Sequence, residues 1–437
     1  MTKLLTPATV LMLLCGCDKS SHPLVLSGSG SGGVLTQSVA GKDAGSGNVA
    51  QSVGLDGGAS ATATNTLVAT VDPGPQNIGY TNGLFASVTL CVPGTTTCQT
   101  IDHLLVDTGS VGVRVLESEL TVALPVAKDT SGVALAECTP FVDGTAWGPL
   151  RTADVKLGGE TASNLPIQLI GEGAYAMPSN CTGTPITNFE TLAANGILGV
   201  GVYLQDCGDT CTQSARSKLN PGLYYACSST QSSGCAITSV PLTQQVAHPV
   251  AAFPENNNGV IIQLPSIAAT GAASVSGLLV FGIGTQSNNE LGSATVLALD
   301  DYGWVNTTFP VGGTLYTSYI DSGSNGLFFL NAAKSNLKQC TGNLKDFYCP
   351  SSTANLNATL SSVSGASATI AFSVANASKL DSQAYALSDL AGPMPGYPTD
   401  TSVPGFDWGL PFFFGRNVYT AIETKSTPGG NGPFFAF

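Results

Sequence analysis

Apolar and polar residues alternate along this chain in short runs separated by turn residues, a period of two that predicts strands rather than helices. Leu84-Phe85-Ala86-Ser87-Val88-Thr89-Leu90-Cys91, the turn pair Pro93-Gly94 and Thr100-Ile101-Asp102-His103-Leu104-Leu105-Val106 read as a hairpin whose second strand runs straight into Asp107. Further strands are expected at 153–159, 259–264, 277–282 and 294–299. Helical spacing is confined to brief stretches near 189–194, 242–247 and 331–338. The pattern predicts an all-β protein.

Composition supports that reading. Only 10% of residues are charged, 43% are hydrophobic and 52 are Gly, whereas long surface helices need Glu, Lys and Arg on their wet faces. A chain of 437 residues exceeds one ordinary core, so two lobes are expected, at 75–288 and 289–437. The net charge of −13 argues against nucleic acid and anionic lipid surfaces as partners, because both demand clustered Lys and Arg.

The first 74 residues follow a different pattern. Lys3, the apolar run Leu4–Leu14 and Leu14-Cys15-Gly16-Cys17 form an export signal that is too short to span a bilayer, which takes about 20 apolar residues. Its end resembles the bacterial lipobox, which implies lipid modification at Cys17 and an envelope protein facing the periplasm; the Asp18 that follows slightly favours the inner membrane. An ordinary cleaved signal is the alternative. Residues 18–74, rich in Gly, Ser, Ala and Val, read as a flexible tether with a root-mean-square span of roughly 40 Å.

Twelve cysteines, less Cys15 and Cys17, leave an even number in an exported chain, which points to disulfides. Short loops pair Cys91 with Cys98 and Cys340 with Cys349. Cys207, Cys211, Cys227 and Cys235 form a local cluster with its pairing open, and Cys138 with Cys181 follows by elimination. Zinc fits the cluster less well, because it contains no His and lacks paired CxxC spacing. No metal or cofactor is expected.

The chemistry concentrates in a repeat. Leu105-Val106-Asp107-Thr108-Gly109-Ser110 and Tyr319-Ile320-Asp321-Ser322-Gly323-Ser324 share one pattern, each followed by a Gly and an apolar run. Downstream of each lies a Gly-bounded apolar stretch, Asn195–Gly201 after the first and Gly409–Gly415 after the second, suited to a buried strand beside the loop. One carboxylate cannot act as acid and base in the same step, whereas two matched loops can supply both.

On these motifs the chain resembles the pepsin-like aspartic peptidases over residues 76–437. The resemblance extends to Gly277–Gly282, to Tyr302-Gly303-Trp304-Val305 before the second loop, and to Phe412–Thr420. It implies a bilobal fold with a cleft between two barrel-like lobes and Asp107 with Asp321 as a dyad that activates water to hydrolyse peptide bonds. It further implies Thr108 and Ser322 bonding across the lobes, Ser110 and Ser324 donating to the outer carboxylate oxygens, and Gly109 and Gly323 permitting the tight loops. A monomer taking a polypeptide in its cleft is expected, with a non-catalytic binding protein of the same fold as the rival.

The substrate side departs from that family. The flap hairpin falls at 139–148, where Phe141 or Asp143, depending on alignment, replaces the family's flap Tyr; Gly144, Thr145 and Trp147 complete it. The Trp that supports that Tyr is Arg114 here. Arg114 either faces acidic substrate groups or is solvated or paired with Glu117 or Glu119. The segment 207–235 is longer than its family counterpart, and reads either as a cover over one end of the cleft or as a stapled surface loop. His103, on the strand leading to Asp107, reads as a satisfied strand residue rather than a triad base.

Overall fold

The computed structural model describes residues 63–437 apart from Asp143 and residues 229–233 and 398–403. The expected export signal, the expected lipidation site Cys17 and the expected tether as far as residue 62 lie outside the described residues, as does Asp143.

The regular structure of the described residues is mostly strand, organised as a large sheet, a seven-stranded sheet and a two-stranded ribbon. The expected hairpin forms from Gly83–Cys91 and Cys98–Asp107. The brief helices expected from the sequence shrink to single turns, Phe189–Leu192, Leu242–Gln244 and Ala332–Ser335.

The folded body begins before the expected end of the tether. Thr66–Asp72 is a strand, hydrogen-bonded to Gly83–Cys91 on one side and to Val275–Phe281 on the other. Its small Ala and Thr residues resemble the composition of the residues before it, but Ala69 and Val71 are fully buried in the core. The boundary at 74 is therefore corrected. The large sheet also crosses the expected lobe boundary at 288/289, since Val296–Ala298, Arg416–Ala421 and Phe434–Ala436 join it beside Gly259–Leu264.

The second sheet carries the C-terminal half of the repeat. Its order runs from the hairpin Ala354–Ser361/Ser367–Val374 through Val305–Phe309 and Thr314–Ile320 to Phe406–Trp408, Leu327–Phe329 and Ala391–Gly392. Phe329, Phe406 and Trp408 stack successively at centroid separations of 5.1 and 5.7 Å, a rigid apolar floor beneath the second loop.

Five disulfides staple the fold. Cys91–Cys98, Cys138–Cys181 and Cys340–Cys349 form as expected, and the open cluster resolves into Cys207–Cys211 and Cys227–Cys235.

Candidate active site

Two strands of matching geometry converge on the centre of the molecule. Cys98–Asp107 delivers Asp107 and Thr314–Ile320 delivers Asp321, and a parallel neighbour runs beside each. Gly196–Val200 sets Ile197 against Leu105 and Gly199 against Asp107; Phe406–Trp408 sets Asp407 against Tyr319 and Trp408 against Ile320. The second of these neighbours differs from expectation. Residues Leu410–Phe412 form a 3-10 turn, because Pro411 has no N–H for a sheet ladder, and the pairing strand lies just before Gly409.

The loops lock together by reciprocal hydrogen bonds. Thr108 N–H donates to Ser322 Oγ at 3.1 Å and Ser322 N–H to Thr108 Oγ1 at 2.9 Å. The two hydroxyls pass their hydrogens onward, Thr108 to the Ile320 carbonyl at 3.1 Å and Ser322 to the Val106 carbonyl at 2.7 Å. Each of these buried N–H and hydroxyl groups thus has a partner on the opposite loop.

Above the crossing, the Asp107 and Asp321 carboxyls hydrogen-bond to each other and are fully buried. Gly109 N–H and Ser110 Oγ hold the two oxygens of Asp107 at 2.8 and 2.5 Å, while Gly323 N–H and Ser324 Oγ hold those of Asp321 at 2.8 and 2.9 Å. The glycines are required by the close approach of the loops. A Cβ at Gly109 would lie 2.8 Å from Asp321 Oδ1, and one at Gly323 only 2.6 Å from Asp107 Oδ1. Burial, followed by the charge of Asp107 and the hydrogen bond with it, pushes Asp321 up to about 8. The coupled pair therefore retains one proton up to neutral pH, and one carboxyl is held as acid beside another available as base.

A third carboxyl adjoins the pair, one that the repeat in the sequence does not announce. Asp407 Oδ2 lies 2.5 Å from Ser324 Oγ. Burial, then the charge of Asp321, holds Asp407 well above the ordinary carboxyl range. The available signal is the ending Asp407-Trp408-Gly409, which parallels Ile197-Leu198-Gly199; an Asp inside a buried strand masks the match.

Arg114 takes none of the expected roles. It is buried, and its guanidinium bonds Glu137 Oε1 and Asp206 Oδ2, both at 2.9 Å, and the Val111 carbonyl. Glu117 and Glu119 lie on a surface turn without buried residues. A desolvated guanidinium needs anionic partners more than exposed glutamates need it, so it turns inward. Despite its burial, Glu137 is held below the usual carboxylate range by the Arg114 charge, whereas burial and then the Glu137 charge push Asp206 well up. Tyr224 Oη completes the network, donating to Asp206 at 2.6 Å and accepting from Val246 N–H at 2.8 Å.

This network adjoins the hairpin expected to form the flap. Ala134–Phe141 and Gly144–Leu157 form the expected hairpin, with Phe141 opposite Gly144 and Thr139 opposite Ala146. Phe141 packs in an apolar cluster with Tyr80, Phe85 and Ile197, beneath which Arg114 lies 6.0 Å from its ring centroid. Thr145 donates to the Thr182 carbonyl, and the Trp147 indole donates to the Tyr175 carbonyl. The segment after Cys207 is neither a free cover nor a plain loop. Its strand Tyr224–Cys227 adds to the flap sheet, setting Tyr224 against Glu137. His103 pairs with Asp72 at 3.3 Å and Asp102 at 3.4 Å.

No curated protein sequence matches the chain. Among solved structures it is similar to an aspartic proteinase from Irpex lacteus, at 15% identity and a TM-score of 0.48, over 85% of this chain and 96% of that one. A family model described as "Protein of unknown function (DUF3443)" matches residues 61–437. The chain belongs to the DUF3443 family.

Proposed function

We propose that this protein is an aspartic endopeptidase that cleaves polypeptides at the Asp107–Asp321 pair. One observation carries the reading: two carboxyls from separate loops are hydrogen-bonded to each other, and one of them is pushed up to about 8. In this mechanism ionised Asp107 takes a proton from a water molecule as the water oxygen bonds to the peptide carbonyl carbon. Asp321 gives its proton to the carbonyl oxygen, yielding a gem-diol. Asp107 then gives its proton to the amide nitrogen while one gem-diol hydroxyl gives its proton to Asp321; the C–N bond breaks, releasing a carboxylic acid and an amine, and the pair again holds one proton. Ser110 and Ser324 hold the outer oxygens, so the carboxyls keep their orientation through both steps.

The same proposal places the enzyme at the cell envelope, facing the periplasm on a lipidated Cys17 and a tether. Five disulfides, characteristic of oxidising compartments, support that location. A second reading, a binding protein of the same fold, is favoured by Phe141, which provides no hydroxyl in its buried flap position. Incubating the soluble part with a diverse peptide library from about pH 3 to 7 separates the two. Cleavage that disappears in Asp107→Asn supports the peptidase; a folded sample that cuts nothing leaves the binding reading.

A further inference from the structure

The strands flanking the two Asp loops match in geometry but not in chemistry. Beside the first loop the residue paired with Leu105 is Ile197; beside the second, the residue paired with Tyr319 is Asp407. Asp407 Oδ2 and Asp321 Oδ2 both lie within hydrogen-bond distance of one atom, Ser324 Oγ, at 2.5 and 2.9 Å. The other Asp407 oxygen, Oδ1, is buried with no hydrogen-bond partner among the described residues.

A serine has one hydroxyl hydrogen and cannot donate to two carboxylates at once. Two ionised carboxylates competing for it inside the protein would also carry unbalanced charge. Among the described residues, the groups that face Asp407 offer no cation. Tyr319 on one neighbouring strand bonds its carboxyl, Phe328 on the other has nothing to titrate, and Asp321 and Asp107 approach from the two loops.

We propose that Asp407 is a positioning residue for the dyad: it carries its own proton, donates it to Ser324 Oγ, and thereby commits the Ser324 hydrogen to Asp321. Three carboxyls then hold two protons and one negative charge, with the order Asp407 to Ser324 to Asp321 fixed by which oxygen has a hydrogen to give. When Asp407 loses its proton, the closer contact draws the Ser324 hydrogen towards Asp407. Asp321 then loses that donor, and the site carries two negative charges. The inference rests on the peptidase reading for its catalytic meaning, but the second proton is measurable without turnover.

Infrared spectroscopy of the carboxyl stretch in the full soluble protein tests it. At about pH 7, where solvent-exposed carboxyls are ionised, the wild type should show two protonated carboxyls at the dyad, and Asp407→Asn should lose the intensity of one of them. Asp407→Ile, which installs the residue found in the first lobe, should give the same loss and serves if the amide variant does not fold. Ser324→Ala should keep both protons but move the Asp407 band, because its acceptor is gone. Unchanged intensity in both Asp407 variants overturns the proposal. In turnover, the alkaline limb of kcat/KM should fall with a proton order of about two in the wild type and about one in Asp407→Asn, with KM at the optimum unchanged. If no peptide is cut but the bands behave as stated, the peptidase reading fails and the second proton stands. Cleavage with no band lost in either variant keeps the peptidase and overturns the proton on Asp407.

Discussion

Thr108 and Ser322 exchange hydrogen bonds across the two loops, each backbone N–H donating to the other's hydroxyl. The pair joins the two strands that carry the carboxyls, so on the peptidase reading the spacing of the dyad depends on residues outside the reacting pair. Thr108→Val keeps the shape but leaves the buried Ser322 N–H without its acceptor. The expected cost is about 1–3 kcal/mol in denaturant unfolding, together with a loss in kcat that exceeds any change in KM. Unaltered stability with unaltered kcat would show that the crossing does not set the dyad.

Asp321 links stability to pH. Its folded value is raised, so the folded state keeps a proton that the unfolded chain releases from about pH 4 upward, and the stability this provides is fully present below that point and gone once pH passes about 8. His248, lowered to about 4 by burial, works in the opposite sense between about pH 4 and 6.5 and drops out above that range. Thermal unfolding from about pH 6.5 to 8.5 should therefore show the wild type losing stability more steeply than Asp321→Asn. Parallel curves would mean that Asp321 is ionised in the fold.

Arg114 balances charge inside the protein rather than at its surface. Replacing it with Met leaves Glu137 buried and unpaired, at an expected cost of about 3–5 kcal/mol by urea unfolding. Arg114→Lys should recover only part of this, because one ammonium cannot span Glu137, Asp206 and the Val111 carbonyl in the guanidinium's planar arrangement. Glu137 lies on the strand Ala134–Phe141, so on the peptidase reading, in which that hairpin is the flap, the Lys variant should raise KM more than it lowers kcat.

The disulfides should differ in value according to the loops they close. Cys138–Cys181 closes a separation of 43 residues and Cys207–Cys211 one of 4, which corresponds to about 4 against about 2 kcal/mol in chain entropy. Paired Ser substitutions at each site, compared by chemical unfolding, should preserve that order.

Much of this site is legible in the sequence because its requirements are local. A tight loop that brings N–H groups to its own carboxylate needs Asp, Gly and a hydroxyl residue within a few positions, and Asp107–Ser110 and Asp321–Ser324 both show it. Ile197 is equally visible, since a buried strand beside the loop reads as an apolar run ending in Gly. Asp407 occupies the corresponding place yet carries a carboxyl, and apolar periodicity cannot register a polar residue whose partners come from another loop. Arg114 stands out in the sequence without its partners for the same reason: Glu137 and Asp206 reach it only through tertiary packing, whereas Glu117 and Glu119 are merely near in sequence. Thr66–Asp72 blends into the tether because its alternation is written in small residues whose burial depends on the neighbouring strands.

The pairing of Gly259–Leu264 with Arg416–Ala421 and of Val296–Ala298 with Phe434–Ala436 has a consequence in time. A chain that emerges from its N-terminus makes Asp107 early and Asp321 much later, and the sheet that holds the first half together waits for strands made later still. Such long-range pairing is slow to close. Until residues 416–421 arrive, Gly259–Leu264 is paired on one side only, by Val275–Phe281. The large sheet is thus complete only when its last strand has been made, so on the peptidase reading the body that carries the dyad is finished late in synthesis.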